Sequence, residues 1–212
     1  MPVTWVWAPY SGHWVEHNLV GGTAINKVIQ SVVYTLFGTN LYINAQIRDQ
    51  IRMLETRVPL EFRQRELDDL GCGDGKTTVL LKRVFQPQKL RGFDVNPFLV
   101  KRALSKGIEA EVKNLDTGLP SGELAVMWGV LHHLKDRETC IKRIKENYRM
   151  AFIREPIKNK DLKGFEMGKP LVKEEIENMV QKYLSSAQTF YYGHCIFIFY
   201  MSPECGGPKS KV

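Results

Sequence analysis

The residues with the clearest chemical potential form one run, Asp69-Leu70-Gly71-Cys72-Gly73-Asp74-Gly75, followed directly by Lys76-Thr77-Thr78. Glycines at alternate positions suit a turn tight enough to need positive φ, and they let a ligand approach the backbone without a Cβ in the way. The helix expected to open at Lys76 presents unpaired N–H groups and a partial positive charge, which favour a nearby carboxylate or phosphate. Asp94 closes an apolar run 19 residues after Gly75. A carboxylate at the tip of an adjacent strand can accept hydrogen bonds from both hydroxyls of a ribose. The same Asp94-Val95-Asn96-Pro97 run also suits a simple Asx turn and helix start. Further on, His132 and His133 follow a third apolar run. Histidine has the side chain most often used as a general base near neutral pH.

Three ligand classes compete for the glycine turn. The dinucleotide fingerprint G-x-G-x-x-G/A needs glycine or alanine where Lys76 stands. The phosphate loop G-x-x-x-x-G-K-[ST] matches Gly75-Lys76-Thr77 but needs its first glycine at Leu70, and no convincing magnesium-binding strand follows. The third pattern, an acid followed by G-x-G-x-G at a strand end, resembles the first motif of class I S-adenosylmethionine-dependent methyltransferases. Three further segments resemble that family in order: Leu90-Arg91-Gly92-Phe93-Asp94, Asn114-Leu115-Asp116-Thr117-Gly118-Leu119-Pro120, and Glu123 to Leu134 with its Leu-His-His-Leu. Two positions depart from the usual residues: Asn114 stands for an aspartate, and Glu123 for another. The resemblance covers roughly Leu67 to Pro156 and is closest to the broad group that includes ubiquinone and menaquinone biosynthesis methyltransferases.

The resemblance implies S-adenosylmethionine as cofactor. It would be held by Asp69, Gly71, Cys72, Gly73 and Gly75 at the turn and by Asp94 on the ribose. Val95 would lie against the adenine, and Asn114 with the backbone of Leu115 would meet the adenine edge, Asp116 being the fallback. An amide oxygen still accepts from an exocyclic amine, so asparagine at 114 weakens that role without removing it. Trp128 would wall the methyl-transfer pocket or belong to the core. His132 or His133 would act as general base or shape the pocket; Tyr10, His13 and His17 are weaker alternatives. Glu155-Pro156 would line the substrate cavity or simply leave the sheet. Methyl transfer from a sulfonium is an in-line displacement, so the protein mainly aligns the acceptor and excludes water. The [DNS]-P-P-[FYW] motif of amino-methyltransferases is absent. That favours a small-molecule acceptor over a DNA base.

The elements that must position these residues follow from the pattern of apolar residues. From Ala24 to about Glu55 they recur at three and four, which predicts two helices broken near Gly38-Thr39-Asn40, after an aromatic, irregular lead-in. After Arg65 short apolar runs alternate with helical stretches. Strands are expected at 66–70, 90–93, 109–112, 124–128, 150–154, 188–192 and 195–201, and helices at 76–85, 97–106, 137–148 and 173–184. The alternation predicts an α/β, Rossmann-like fold: a mainly parallel seven-stranded sheet with helices on both faces and an N-terminal helical cap. The expected division is residues 1–62 as cap, 63–202 as methyltransferase domain and 203–212 as a flexible tail.

Composition sets the outer limits. A chain of 212 residues, 43% hydrophobic and 25% charged, has material for one full-sized core. Its apolar runs are far shorter than a membrane span, and Met1-Pro2-Val3-Thr4-Trp5 lacks the features of a secretory leader, so a cytoplasmic protein is expected. Four scattered cysteines form no C-x-x-C pair, which fits reduced thiols; His194, Cys195 and Cys205 make no complete zinc set, and no metal is expected. The formal charge of +7 permits an anionic partner. An RNA-directed methyltransferase, or a catalytically silent RNA-binding scaffold of the same fold, is therefore the alternative reading. Nucleic acid is not favoured, because Asp136, Glu138 and Glu146 interrupt the basic stretch Lys135 to Arg149 and few aromatics are interleaved. Nothing in the sequence indicates an oligomeric state.

Overall fold

The computed structural model describes residues 4–8, 13–17, 41–158 and 171–203. The aromatic lead-in, expected to be irregular, contains two antiparallel strands, β1 (Thr4–Ala8) and β2 (His13–His17), with Val6 opposite Val15. Both are dense in tryptophan and β-branched residues, the types that favour extended backbone. The N-terminal region therefore opens with paired strands where an irregular lead-in was expected. The expected helix of 24–37 and the tail beyond 203 lie outside the described residues, as does Tyr10. The second expected helix is present as α1 (Leu41–Arg57).

The remaining elements alternate as the sequence predicts: β3 (Glu66–Leu70), α2 (Lys76–Phe85), β4 (Lys89–Asp94), α3 (Pro97–Leu104), β5 (Glu109–Val112) and β6 (Gly122–Trp128). They continue with α4 (Arg137–Asn147), β7 (Tyr148–Pro156), α5 (Lys173–Tyr183), β8 (Gln188–Tyr192) and β9 (Cys195–Met201). The sheet order is β5-β4-β3-β6-β7-β9-β8, and only β9 runs antiparallel to its neighbours. This is the expected seven-stranded, mainly parallel Rossmann-like sheet.

Tyr148, expected at the end of a helix, starts β7 opposite Gly122. Its ring is buried and its hydroxyl donates to Asp68 at 2.9 Å, a contact that a helical Tyr148 would lose.

Each face of the sheet carries an apolar layer. On one face α4 and α5 contribute Cys140, Ile141, Ile144, Ile176, Met179 and Val180. On the other, Ile51 and Leu54 of α1 and Leu81, Val84 and Phe85 of α2 pack on Leu67, Leu124, Val126 and Phe152. Leu54 is wholly buried, so α1 is part of the body's core. The chain winds outward from β3 to β5 and then crosses to β6 and β7 on the other side. The loops after β3 and β6 therefore open at the point where strand order reverses, which is where open α/β sheets bind ligands.

Candidate active site

The glycine turn leaves β3 and is fastened to β4. The amides of Gly71 and Cys72 both donate to the Phe93 carbonyl, at 2.7 and 3.0 Å, and Gly75 N–H closes on the Cys72 carbonyl at 3.0 Å. Gly71 and Gly75 have φ of +85° and +80°, where a side chain would be strained. A Cβ on Gly71 would stand 2.5 Å from Val130 Cγ2, so the loops after β3 and β6 interlock through this glycine. Leu70, where a phosphate loop would need its first glycine, is buried in the core.

Four carboxylates stand near the turn, and strand geometry gives each a different task. Successive side chains on a strand point to opposite faces. Asp68 accepts two bonds from Arg91, both 2.7 Å, with the Tyr148 phenol as third donor. Asp69 points the other way, beneath the turn, and accepts from the Thr78 hydroxyl at 2.6 Å. Its burial, opposed by the Thr78 bond and reinforced by Asp94, raises its pKa to about 7. Asp74 meets the ammonium groups of Lys76 and Lys106, each at 3.6 Å. Asp94 is half-buried at the end of β4; Oδ2 accepts from Gly73 N–H at 3.0 Å and Oδ1 from Asn96 N–H at 2.8 Å. A carboxylate has about four acceptor positions, so Asp94 retains capacity for two more donors, as a ribose diol would supply. Burial, partly offset by those two backbone bonds, raises its pKa.

The other expected cofactor residues lie along the same edge. Val95 is 52% exposed beside Asp94, an apolar surface suited to a flat ring. Asn114 is exposed, with Oδ1 accepting from Asp116 N–H at 3.0 Å; Asp116 is itself committed to Lys135 N–H. Leu115 is buried, which leaves its backbone for any contact. Cys72 is buried against Gly92, and burial followed by nearby carboxylates pushes its thiol well above the ordinary range. It serves packing, with no thiolate chemistry at neutral pH.

Beyond β6 the two histidines differ sharply. His132 is buried and its Nδ1 stands 2.8 Å from Glu155 Oε2. Glu155 is wholly buried, with Oε1 accepting from the amides of Val130 and Leu131. It therefore neither lines a cavity nor leaves the sheet: it fixes the loop that carries the histidine. His133 reaches solvent, yet crowding around its ring, then His132 and Arg137, lower its pKa and keep it neutral. Trp128 stands half-buried at the end of β6 with the Arg154 guanidinium over its ring, 5.2 Å from the centroid. Sequence reading passed over Arg154 and Gln50; the available signal was an arginine followed by a glutamate inside the otherwise apolar run 150–156.

Residues 69–149 match the model of a family described as a methyltransferase domain. The match begins at Asp69 and spans the turn, Asp94, Asn114 and both histidines. Over that stretch the chain is similar to a methyltransferase domain. Among curated proteins it is similar to the eugenol O-methyltransferase of Sorghum bicolor, 25% identical over 138 residues that cover 61% of this chain. This chain spans about a third of that relative, 36% of its length. Among solved structures it is similar to the magnesium protoporphyrin IX methyltransferase of Synechocystis PCC 6803 with bound S-adenosylhomocysteine. That likeness has a TM-score of 0.57 at 12% identity and covers 83% of this chain and 100% of that one. The S-adenosylmethionine-dependent methyltransferase of Mesorhizobium loti matches with a TM-score of 0.55 at 13% identity, over 71% of this chain and 96% of that one. At such identities the structural likenesses show the fold alone. No helix among the described residues is long and apolar enough to cross a membrane.

Proposed function

We propose that this protein transfers a methyl group from S-adenosylmethionine to a small-molecule acceptor by in-line displacement, with His132 as the general base. One observation carries the reading. The turn-bound Asp94 and the Glu155-bound His132 sit at the carboxyl ends of strands on either side of the sheet's reversal point, linked through the Gly71–Val130 contact.

When bound, S-adenosylmethionine supplies a methyl group already activated on a sulfonium. Asp94 would accept the two ribose hydroxyls and Val95 would cover the adenine, with Asn114 and the Leu115 backbone at its edge. Gly71, Gly73 and Gly75 would let the cofactor lie against the backbone, while Asp69 and Cys72 hold the turn from beneath. Glu155 accepts from Nδ1 of His132, which leaves the Nε2 lone pair as the basic one. His132 Nε2 would take the proton from an acceptor hydroxyl as its oxygen attacks. With the cofactor bound, the oxygen–methyl bond would form as the sulfur–methyl bond breaks, the sulfur keeping the electron pair. The neutral His133 beside it, with ring centroids 4.0 Å apart, shapes the pocket.

Two further features support a small acceptor. Cations of the basic stretch 135–149 are engaged within the protein: Arg137 with Glu175, Lys142 with Glu146, and Arg143 with the Asp116 carbonyl. Acidic and carbonyl groups are thus interleaved with these three cations, which does not favour a phosphate track. The name of the Sorghum relative, an O-methyltransferase acting on eugenol, fits a hydroxyl acceptor.

A thermal-shift panel of S-adenosylmethionine, S-adenosylhomocysteine, NAD and ATP tests the cofactor, since a ligand of the native state raises apparent stability. Only the first two should shift the transition. Labelled methyl transfer to a panel of phenols and small acids tests the acceptor. Tight, steeply salt-dependent retention on heparin would instead point to a nucleic acid.

A further inference from the structure

Among the described residues Arg154 is the arginine that the core encloses most fully. Arg91 pairs with Asp68 and Arg137 with Glu175, whereas no carboxylate among the described residues is within ion-pair distance of Arg154. Its side chain is only 9% exposed. Nε donates to Gln50 Oε1 at 3.0 Å, and the guanidinium lies over the Trp128 ring. Gln50 is itself buried, with its amide nitrogen directed to Cys195 Sγ at 3.3 Å, so its oxygen is turned toward Arg154. An amide oxygen and an aromatic face orient a guanidinium but do not neutralise it. Glu155, next in the chain, points to the opposite face of the sheet with both oxygens occupied.

A buried guanidinium with no counter-charge among the described residues is costly to keep, and its position points to where a counter-charge would bind. Arg154 ends on the carboxyl side of the sheet, opposite Trp128 in the β6–β7 register. Its Nη1 comes within 3.4 Å of the place a Cβ would occupy on Gly129, and His132 Cε1 within 3.6 Å of the same place. The fork and the histidine ring therefore meet at one glycine, at the strand end where the methyl acceptor must stand.

Resting on the methyltransferase reading above, we propose that Arg154 is the anion-receiving residue of this site and that the acceptor carries a carboxylate which it pairs with. A planar fork matches a carboxylate through two parallel N–H bonds, which would set the acceptor's orientation to His132 as well as its affinity. A carboxylate has a second source, the amino-acid end of the cofactor. Asp94 on β4 and Arg154 on β7 stand three strands apart in the sheet, with the glycine turn on the side of Asp94, which favours the acceptor.

The full-length wild type is compared with Arg154→Gln and Arg154→Lys, using benzoate, its uncharged counterpart benzamide, S-adenosylhomocysteine and 5′-methylthioadenosine, which lacks the amino-acid end. Benzoate should raise the melting temperature of the wild type and benzamide should not. Arg154→Gln should weaken the benzoate response about tenfold or more, with Arg154→Lys between them. Calorimetric affinities for S-adenosylhomocysteine and methylthioadenosine should be the same in wild type and Arg154→Gln, which also shows that the variant is folded. If Arg154→Gln does not fold, Arg154→Lys carries the comparison, and an undiminished benzoate response there overturns the proposal. The absence of a benzoate response in the wild type, or an equal one in Arg154→Gln, overturns it as well. Loss of S-adenosylhomocysteine affinity with methylthioadenosine unchanged would assign Arg154 to the cofactor and overturn the acceptor assignment. Failure of the wild type to bind either nucleoside would count against the methyltransferase reading alone, because the benzoate arm does not depend on it.

Discussion

Glu155 Oε2 stands 2.8 Å from His132 Nδ1 while its other oxygen holds the amides of Val130 and Leu131, so one buried carboxylate fixes both the loop and the ring. Replacing it with glutamine separates the two tasks. The amide oxygen can still accept from the two N–H groups, but the amide nitrogen now donates to Nδ1. That moves the imidazole proton to Nε2 and removes the base. Glu155→Gln should therefore lose about 10²- to 10⁴-fold in kcat while binding S-adenosylhomocysteine normally. Glu155→Ala strands both amides and should also lose stability, about 1–3 kcal/mol for each, read by urea unfolding.

Asp94 carries the cofactor prediction. Asp94→Asn keeps one oxygen for a backbone N–H but gives up the charge and half of the acceptor capacity facing the ribose. A hydrogen bond to a charged group contributes about 1.5–3 kcal/mol, so affinity for S-adenosylhomocysteine should fall at least about tenfold by calorimetry. The raised pKa of Asp94 adds a pH signature. Protonation begins at a higher pH than for an ordinary aspartate, so wild-type affinity should decline on acidification before an exposed carboxylate would titrate. In Asp94→Asn that decline should be much reduced.

What the sequence disclosed and what it withheld divide along a physical line. Glycine at 71 and 75 announces a backbone conformation, and Asp94 at the end of an apolar run announces a strand tip, because both are local properties of the chain. Alternation of strand and helix likewise determines a parallel sheet. Glu155 and Arg154 were not legible in this way, because their roles depend on strand register. One faces α4 and α5 and finds His132 across a loop; its neighbour faces α1 and finds Gln50, 104 residues away. The hairpin of β1 and β2 was missed for a related reason: its pairing lies between two aromatic segments too irregular in pattern to show a period of two.

Gly71 and Val130 yield a test of how the two ligand loops are joined. Gly71→Ala brings a positive-φ penalty and a contact with Val130 Cγ2 that must be relieved by movement. It should cost about 2–4 kcal/mol of stability and weaken cofactor binding, since the turn would shift. Adding Val130→Ala removes the obstructing methyl groups and should restore part of the loss. The φ penalty, about 1 kcal/mol, should remain. A purely additive double mutant would show that the loops do not touch as described.

Asp69 is the acid beneath the turn, and its pKa of about 7 makes a stability prediction with a definite sign. Unfolded aspartate titrates near 4, so between about pH 4 and 7 the folded protein binds more protons at this site than the unfolded chain does. Contribution to stability is thus fullest in acid and is lost as pH rises through the folded pKa, levelling off above about pH 7. A tenfold difference in proton affinity between the folded and unfolded chain corresponds to about 1.4 kcal/mol, which bounds the effect at about 4 kcal/mol. Asp69→Asn keeps an oxygen for the Thr78 hydroxyl and carries no charge to bury. The variant should be more stable than the wild type at pH 8 and nearly matched to it at about pH 3, with the difference growing between about pH 4 and 7 in urea titrations. A constant difference at all pH values would mean that Asp69 is ionised throughout and that the Thr78 bond outweighs its burial.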